Sequence, residues 1–160
     1  MESIEPKVIT KLYETTALLL SCLDEKRELV RSGSHSDYKH ISTARGSVLV
    51  FLPGVYEIES LHKHLQQFEE NAVQKNFWHI LPLHSRITSE EQSLVFQPIS
   101  SLAPRHHHYR KIILSTNIAE SSLTVPDIVY VIDFCLVKQL VTDAETNFCS
   151  LKVIVEFEMK

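Results

Sequence analysis

The fold is decided by residues 111–117, which read KIILSTN. A run of isoleucine and leucine that ends on a hydroxyl side chain is typical of a strand covered on both faces in a parallel sheet. Ser115 and Thr116 end the run, and Asn117 is a residue type that caps helices, with Glu120 three residues further on. The stretch therefore predicts a strand, a short turn and the start of a helix.

Similar strands precede and follow this stretch. They are predicted at residues 47–51 (SVLVF), 78–83 (WHILPL) and 128–132 (IVYVI), the last ending at Asp133. Pro82 is expected at the end of its strand, because an interior proline would remove a ladder hydrogen bond. Strands and helices alternate along this part of the chain. That order predicts an α/β fold with an open parallel sheet and helices on both faces.

Further helices are predicted before and between these strands. Residues 6–28 carry apolar side chains at helical spacing, so an extra N-terminal helix that packs on the domain core is expected. Residues 55–68 carry a second apolar stripe. Thr88 and Glu91 have the spacing of a capping box, which predicts a short helix after Thr88.

The chain is expected to divide into three parts. Residues 1–30 form the N-terminal helix, the polar residues 31–45 form a flexible linker, and residues 46–160 form the compact domain. Within this domain, residues 138–141 (KQLV) and 151–155 (LKVIV) resemble two short strands that flank a polar turn. This pattern predicts a β-hairpin.

Composition narrows the classes of function. The chain has 160 residues, of which 44% are hydrophobic, and a net charge of −4. This excludes a strongly basic nucleic-acid-binding tail, although a domain can also hold phosphate with helix amides and hydroxyls. Apolar runs are shorter than the roughly 18 residues of a membrane helix, so no membrane is expected among the partners. Three cysteines without paired spacing favour a reducing, intracellular setting.

Three segments are predicted to share the carboxyl edge of the sheet, where open α/β sheets bind ligands. They are residues 52–54, 84–86 and 115–117. Thr116 and Asn117 can grip a phosphate at a helix N-terminus without a lysine. The alternative is that Asn117 only caps its helix.

The histidines give no metal site. His84 can contact phosphate or cap a turn, and the sequence leaves both open. The run at residues 106–108 lacks an accompanying ligand set, and His62 and His64 are two apart on a predicted helix, so they do not face one ion together. The sequence also lacks a P-loop and a Gly-x-Ser-x-Gly nucleophile motif.

Several segments together resemble DEAH-box RNA helicases. Residues 48–54 (VLVFLPG) resemble motif IV, residues 81–85 (LPLHS) resemble the next conserved block, and residues 111–127 closely resemble motif V. The resemblance covers residues 46 to about 152. Two stretches, residues 131–136 (VIDFCL) and 142–147 (TDAETN), are most similar to the spindle-E type, germline helicases with a tudor domain that act in Piwi-interacting RNA silencing.

This resemblance implies the second RecA-like domain of a two-domain motor, followed by a hairpin that guides or separates strands. By motif match, Ser115, Thr116 and Asn117 would hold the RNA backbone. Gly54 and Ser85 would lie on the same RNA face. The whole protein would be an ATP-dependent RNA helicase that couples ATP hydrolysis to movement on RNA or remodelling of RNA, in meiosis and transposon silencing.

The resemblance also assigns nucleotide contacts. Ser122 would lie near the γ-phosphate and Thr124 near the ribose, with Asp127 and Leu136 as further contacts. In many relatives an aromatic residue that stacks on adenine stands where this chain has Leu136, so weak base preference is expected. ATP with Mg²⁺ would be bound mainly by a first RecA-like domain, which carries the P-loop and the DEAH box. The arginine-rich motif VI is also absent, so this chain alone is expected to be catalytically inactive.

The resemblance implies three partners: RNA, the first RecA-like domain and Piwi-pathway proteins. The expected location is the cytoplasm, including germ granules. One alternative is a non-catalytic RecA-like interaction module or a truncated isoform. A receiver-like α/β domain is a third option, but it needs clustered acidic residues at strand ends, and only Asp133 is so placed.

Overall fold

The computed structural model describes Ile4 and residues 6–32, 46–72, 78–98, 101, 109–117, 125–142 and 148–155. In chain order, the helices and strands are α1 (Pro6–Ser32), β1 (Ser47–Phe51), α2 (Val55–Asn71), β2 (Trp78–Leu83), α3 (Ser89–Phe96), β3 (Arg110–Ser115), β4 (Ile128–Asp133), β5 (Leu136–Thr142) and β6 (Cys149–Val155). The helix expected after Asn117 lies outside the described residues.

The first four strands form one parallel sheet in the order β2-β3-β1-β4. All six residues of β3 are buried, as are the first four of β1. These two strands occupy the centre of the sheet, which explains the apolar runs at residues 48–51 and 112–114. The predicted open parallel sheet is confirmed.

Alternate residues of the central strands serve opposite faces of the sheet. Val50 and Leu114 pack in a cluster with side chains of α1 and α2. Leu49 and Ile113 point the other way and pack with Val95 of α3. Helices therefore cover both faces, as predicted from the alternation of elements.

The N-terminal helix is part of this core. Tyr13, Ala17 and Leu20 are buried in the cluster shared with α2 and the sheet. The helix was expected to end near residue 28 but continues through Ser32, so the first two residues of the predicted linker are helical. The division into residues 1–30, 31–45 and 46–160 stays a prediction, since residues 33–45 lie outside the described part of the chain.

A buried polar network fastens α1 to the amino ends of the strands. Asp24 accepts hydrogen bonds from Arg110 Nε at 2.6 Å and from Trp78 Nε1 at 2.9 Å. The Arg110 guanidinium is fully buried, donates to the Gly46 carbonyl and lies 5.8 Å from the ring centre of Tyr130. Each polar group of this network is therefore matched within the fold, as burial requires.

Pro82 is the fifth of six residues in β2 and pairs in register with Leu114. The strand has the predicted bounds, and Pro82 lies at its carboxyl end, next to the last residue. Within the described sheet β2 pairs only with β3. A strand with one free side tolerates a proline, because the missing N–H can face away from the neighbouring strand.

Strands β5 and β6 form the predicted antiparallel hairpin, with Leu136 opposite Val155 and Thr142 opposite Cys149. The chain reverses into it at Cys135, which has a positive φ of 52° and donates its backbone N–H to Asp133 Oδ1 at 2.8 Å. The turn itself, residues 143–147, lies outside the described residues.

Candidate nucleic-acid interface

The carboxyl ends of three strands are tied together by backbone hydrogen bonds. Leu52 donates to the Ser115 carbonyl at 2.8 Å, and Thr116 donates to the Leu83 carbonyl at 3.2 Å. The segments that follow β1, β2 and β3 therefore leave the sheet side by side. This is the edge at which open α/β sheets bind their ligands.

Two predicted anion-binding groups are used within the fold. The Thr116 amide continues the ladder to β2, so it is not the bare amide that the sequence suggested. Ser115 is fully buried, and its hydroxyl donates to the Thr116 carbonyl at 2.7 Å. The strand that accepts this hydrogen bond, β2, is distant in sequence from Thr116, so the local sequence does not show the contact. The side chains of Thr116, half-buried, and Asn117, exposed, remain candidates.

The segment after β2 is a turn closed by an imidazole. His84 Nδ1 accepts the backbone N–H of Arg86 at 3.2 Å, and the His84 carbonyl accepts that of Ile87 at 3.3 Å. Of the two interpretations left open for His84, turn capping is the one that the structure shows. Ser85 and Arg86 are exposed at this turn, beside the Thr116 strand end.

Gly54 makes room for the hairpin at the strand end. It precedes α2 with an extended backbone, φ −179°, which any residue can adopt. A Cβ at this position would lie 2.5 Å from Lys138 Nζ and 2.9 Å from Glu57 Oε2. These two charged atoms are themselves 2.7 Å apart, as an ion pair without hydrogen-bond alignment, and Glu57 is buried. A side chain at this position would displace the Lys138 ammonium, so Gly54 matters for space rather than for conformation.

The predicted nucleotide contacts are not assembled by the described residues. Ser122 and Thr124 lie outside them. Asp127 precedes β4 with a φ of 68°, and its carbonyl accepts the Ser47 N–H at the amino end of the sheet. Leu136 follows β4 at the carboxyl end, half-buried. The length of β4, about 20 Å at 3.3 Å per residue, separates these two.

A cavity beside β2 was not foreseen from the sequence. It has a volume of about 500 Å³ and lies between α2, the end of β2 and the turn before α3. Its walls include His62 and Lys63 of α2 and the turn residues His84 and Arg86. No local motif marks this cavity, because two segments that are separate in sequence, residues 58–66 and 82–91, form it together. Burial lowers the pKa of His62.

Neither a metal-ligand cluster nor a membrane-spanning helix occurs among the described residues. Among them, no group of three or more His, Cys, Asp or Glu side chains is arranged to hold a metal ion. No helix in the same part of the chain is long and apolar enough to cross a membrane.

The parallel sheet with helices on both faces and a ligand-type carboxyl edge defines an open α/β domain, here followed by a hairpin. The model of the helicase conserved C-terminal domain matches residues 35–147, and the chain belongs to this family.

Among individual proteins, the chain is 43% identical over 150 residues to "ATP-dependent RNA helicase TDRD9" of Danio rerio, which covers 93% of this chain and 10% of that protein. It is 41% identical over 152 residues to "Probable ATP-dependent RNA helicase spindle-E" of Anopheles gambiae, covering 92% of this chain and 10% of that protein. The resemblance to the spindle-E type is thus confirmed. The chain spans about a tenth of the length of these relatives.

A solved structure shows the same fold. The crystal structure of the E. coli DExH-box NTPase HrpB superimposes with a TM-score of 0.54 at 27% identity, over 85% of this chain and 14% of that chain. The RecA-like prediction is therefore confirmed.

Proposed function

We propose that this chain is the second RecA-like domain of an ATP-dependent RNA helicase, and that its sheet edge contacts the RNA backbone. The observation that carries the proposal is the joining of three strand ends by the Leu52–Ser115 and Thr116–Leu83 backbone hydrogen bonds. These bonds set Thr116 and Asn117 beside the exposed turn at Ser85. Hydroxyl, amide and guanidinium groups in a row suit a sugar–phosphate strand. The relatives that carry helicase names support the same proposal.

The proposal assigns specific parts to the strand-end residues. The side chains of Thr116 and Asn117 hold phosphate or ribose oxygens, and Ser85 contributes a hydroxyl. Gly54 admits the hairpin to the same edge through its missing side chain. Ser115 serves by fixing the Thr116 carbonyl, since its own hydroxyl is buried. Sequence-independent contacts of this kind fit the movement of a motor along RNA.

In this proposal the whole protein hydrolyses ATP, and Mg²⁺ neutralises part of the phosphate charge. Leu136 provides apolar contact without an aromatic ring, which supports weak preference among nucleotide bases. Most phosphate contacts are assigned to a first RecA-like domain, the proposed partner of this one. Resemblance to the spindle-E type supports a cytoplasmic role with Piwi-pathway proteins in germline RNA silencing.

An RNA titration tests the strand-end site. A labelled oligouridylate is titrated with the chain at low salt and followed by fluorescence anisotropy. Thr116→Ala should weaken binding about tenfold, because the variant has no hydroxyl to donate to a charged oxygen. Thr15→Ala is the matched control, since Thr15 is exposed on α1 and bonds only within its helix. Absence of RNA binding by the unaltered chain contradicts the proposal and favours an interaction module.

A further inference from the structure

The cavity beside β2 has the size of a small-ligand site and opens next to the strand-end turn. Its volume of about 500 Å³ lies within the range of ligand pockets. Pro82 and Ile87 line it together with Ile58, so part of the wall is apolar. His84 and Arg86 belong both to the cavity and to the turn after β2. An RNA strand that passes over Ser85 therefore reaches the opening of the cavity directly.

The cavity presents two fixed positive charges to solvent. Lys63 projects from α2 and Arg86 from the turn, and both residues are exposed at the rim. Two carboxylates also line it. Glu91 is already used, because it accepts hydrogen bonds from the backbone and the hydroxyl of Thr88 at 2.9 and 3.0 Å. Glu59 on α2 is left as an acceptor for an N–H donor.

Two histidines, His62 and His84, and the amide of Gln66 add neutral hydrogen-bonding groups to the cavity wall. His84 Nδ1 accepts from the Arg86 backbone, so the proton of the neutral ring lies on Nε2, which is a donor. Burial lowers the pKa of His62, so this ring is neutral at pH 7 and offers one donor and one acceptor. Gln66 contributes both functions one helical turn further along α2. Such groups match the edge of a nucleobase better than a second phosphate.

We infer that this cavity receives one nucleotide of an RNA strand, with its phosphate against Lys63 and Arg86 and its base beside His62 and Gln66. The inference rests on the proposed function, since it extends the same RNA path beyond the strand ends. The apolar wall suits the face of a base, and the rim charges suit its phosphate.

The test combines charge removal with a matched control. Lys63→Gln together with Arg86→Gln should weaken oligouridylate binding about tenfold at 50 mM KCl. It should also reduce the slope of log affinity against log salt by ~0.7 for each phosphate of single-stranded RNA that the protein no longer neutralises. Lys7→Gln with Lys11→Gln removes the same charge from the exposed face of α1 and should leave affinity and slope unchanged. All four positions are exposed, so thermal unfolding should not change.

The base contact has its own variant. His62→Leu should weaken binding about threefold without altering the salt slope, because the leucine cannot form the neutral hydrogen bond. If the unaltered chain binds RNA but both cavity variants bind like the control, the inference is overturned and the strand-end site stands. If the unaltered chain does not bind RNA, the proposed function fails together with the inference.

Discussion

His79 and Lys111 are neighbours on adjacent strands, and both affect the stability of the fold. Lys111 is fully buried, and its ammonium donates to the carbonyls of Val95 and Gln97, both at 2.9 Å, at the end of α3. It therefore caps that helix from the neighbouring strand. His79 lies opposite Lys111 in the register of β2 and β3, and its Nε2 is buried without a hydrogen-bond partner among the described residues.

This pairing predicts a loss of stability on mild acidification. Burial, and then the charge of Lys111, lower the pKa of His79 from its ordinary 6.5. Below pH 6.5 the unfolded chain therefore binds more protons than the folded one, so stability falls as the pH drops through this range. His79→Leu should make the decline between pH 7 and 5.5 shallower in urea-unfolding measurements, leaving the part that His62, whose pKa burial also lowers, contributes.

Two comparisons sharpen this measurement. At pH 8 both states hold neutral histidine, so the variant and the unaltered chain should depend on pH equally there. Hydrogen bonds from Thr88 lower the pKa of Glu91 below 4.5, so its stabilisation is lost only in more acidic solution. Parallel stability curves for the two proteins from pH 7 to 5.5 would contradict the assignment to His79.

At the scale of single residues, side-chain hydrogen bonds could be predicted where both partners are close in sequence. The capping box of Thr88 and Glu91 was predicted from spacing, and both of its hydrogen bonds are present. The hydrogen-bond partners of the Ser115 hydroxyl and the Thr116 amide could not be predicted. They depend on the register between β2 and β3, which long segments separate along the chain.

At the scale of elements, α1 depends on one carboxylate for its attachment to the strands. Asp24→Asn keeps the shape of the side chain but leaves the buried Arg110 guanidinium without a counter-charge. We expect a loss of about 3 kcal/mol in the free energy of unfolding, as is usual when one partner of a buried ion pair is removed. Urea denaturation followed by circular dichroism measures it.

The exposed helix surface supplies the control for this variant. Glu14→Gln removes a carboxylate of α1 that faces solvent, and its effect should stay below about 0.5 kcal/mol. Equal stabilities of the two variants would mean that Asp24 does not anchor the helix. Periodicity predicted that α1 is a helix packed on the core. It did not indicate that Asp24, in the C-terminal half of α1, would form an ion pair with Arg110 of β3.

The hairpin is a second element whose attachment can be tested. Lys138→Met removes the ion pair with Glu57 and should speed amide hydrogen exchange in β5 severalfold, while exchange in β1 and β3 stays slow. Gly54→Ala should have a similar effect, because the new Cβ displaces the Lys138 ammonium. The matched change Lys152→Met, on β6 of the same hairpin, should not. Unchanged exchange in β5 for both test variants would contradict this view of the contact.

For the molecule as a whole, the order of strands and helices along the chain was enough to predict the architecture of the sheet. Alternating strands and helices predicted a parallel sheet covered on both faces, and the sheet has that form because Leu49 and Val50 point to opposite sides. The cavity beside β2 was beyond prediction. Its walls come from two segments, residues 58–66 and 82–91, that only folding brings together, and exposed residues such as Lys63 carry no distinguishing pattern.

The proposed motor needs two domains, and this gives a prediction for the chain by itself. Its 160 residues contain no P-loop, so they lack the amide cradle and lysine that hold the β- and γ-phosphates. The purified chain should therefore release no phosphate from ATP above the buffer rate, with or without oligouridylate. RNA binding in the same preparation serves as the control that the chain is folded. Hydrolysis that RNA stimulates and that Thr116→Ala weakens would mean that the chain carries a complete catalytic site, and the division of labour between two domains would have to be abandoned.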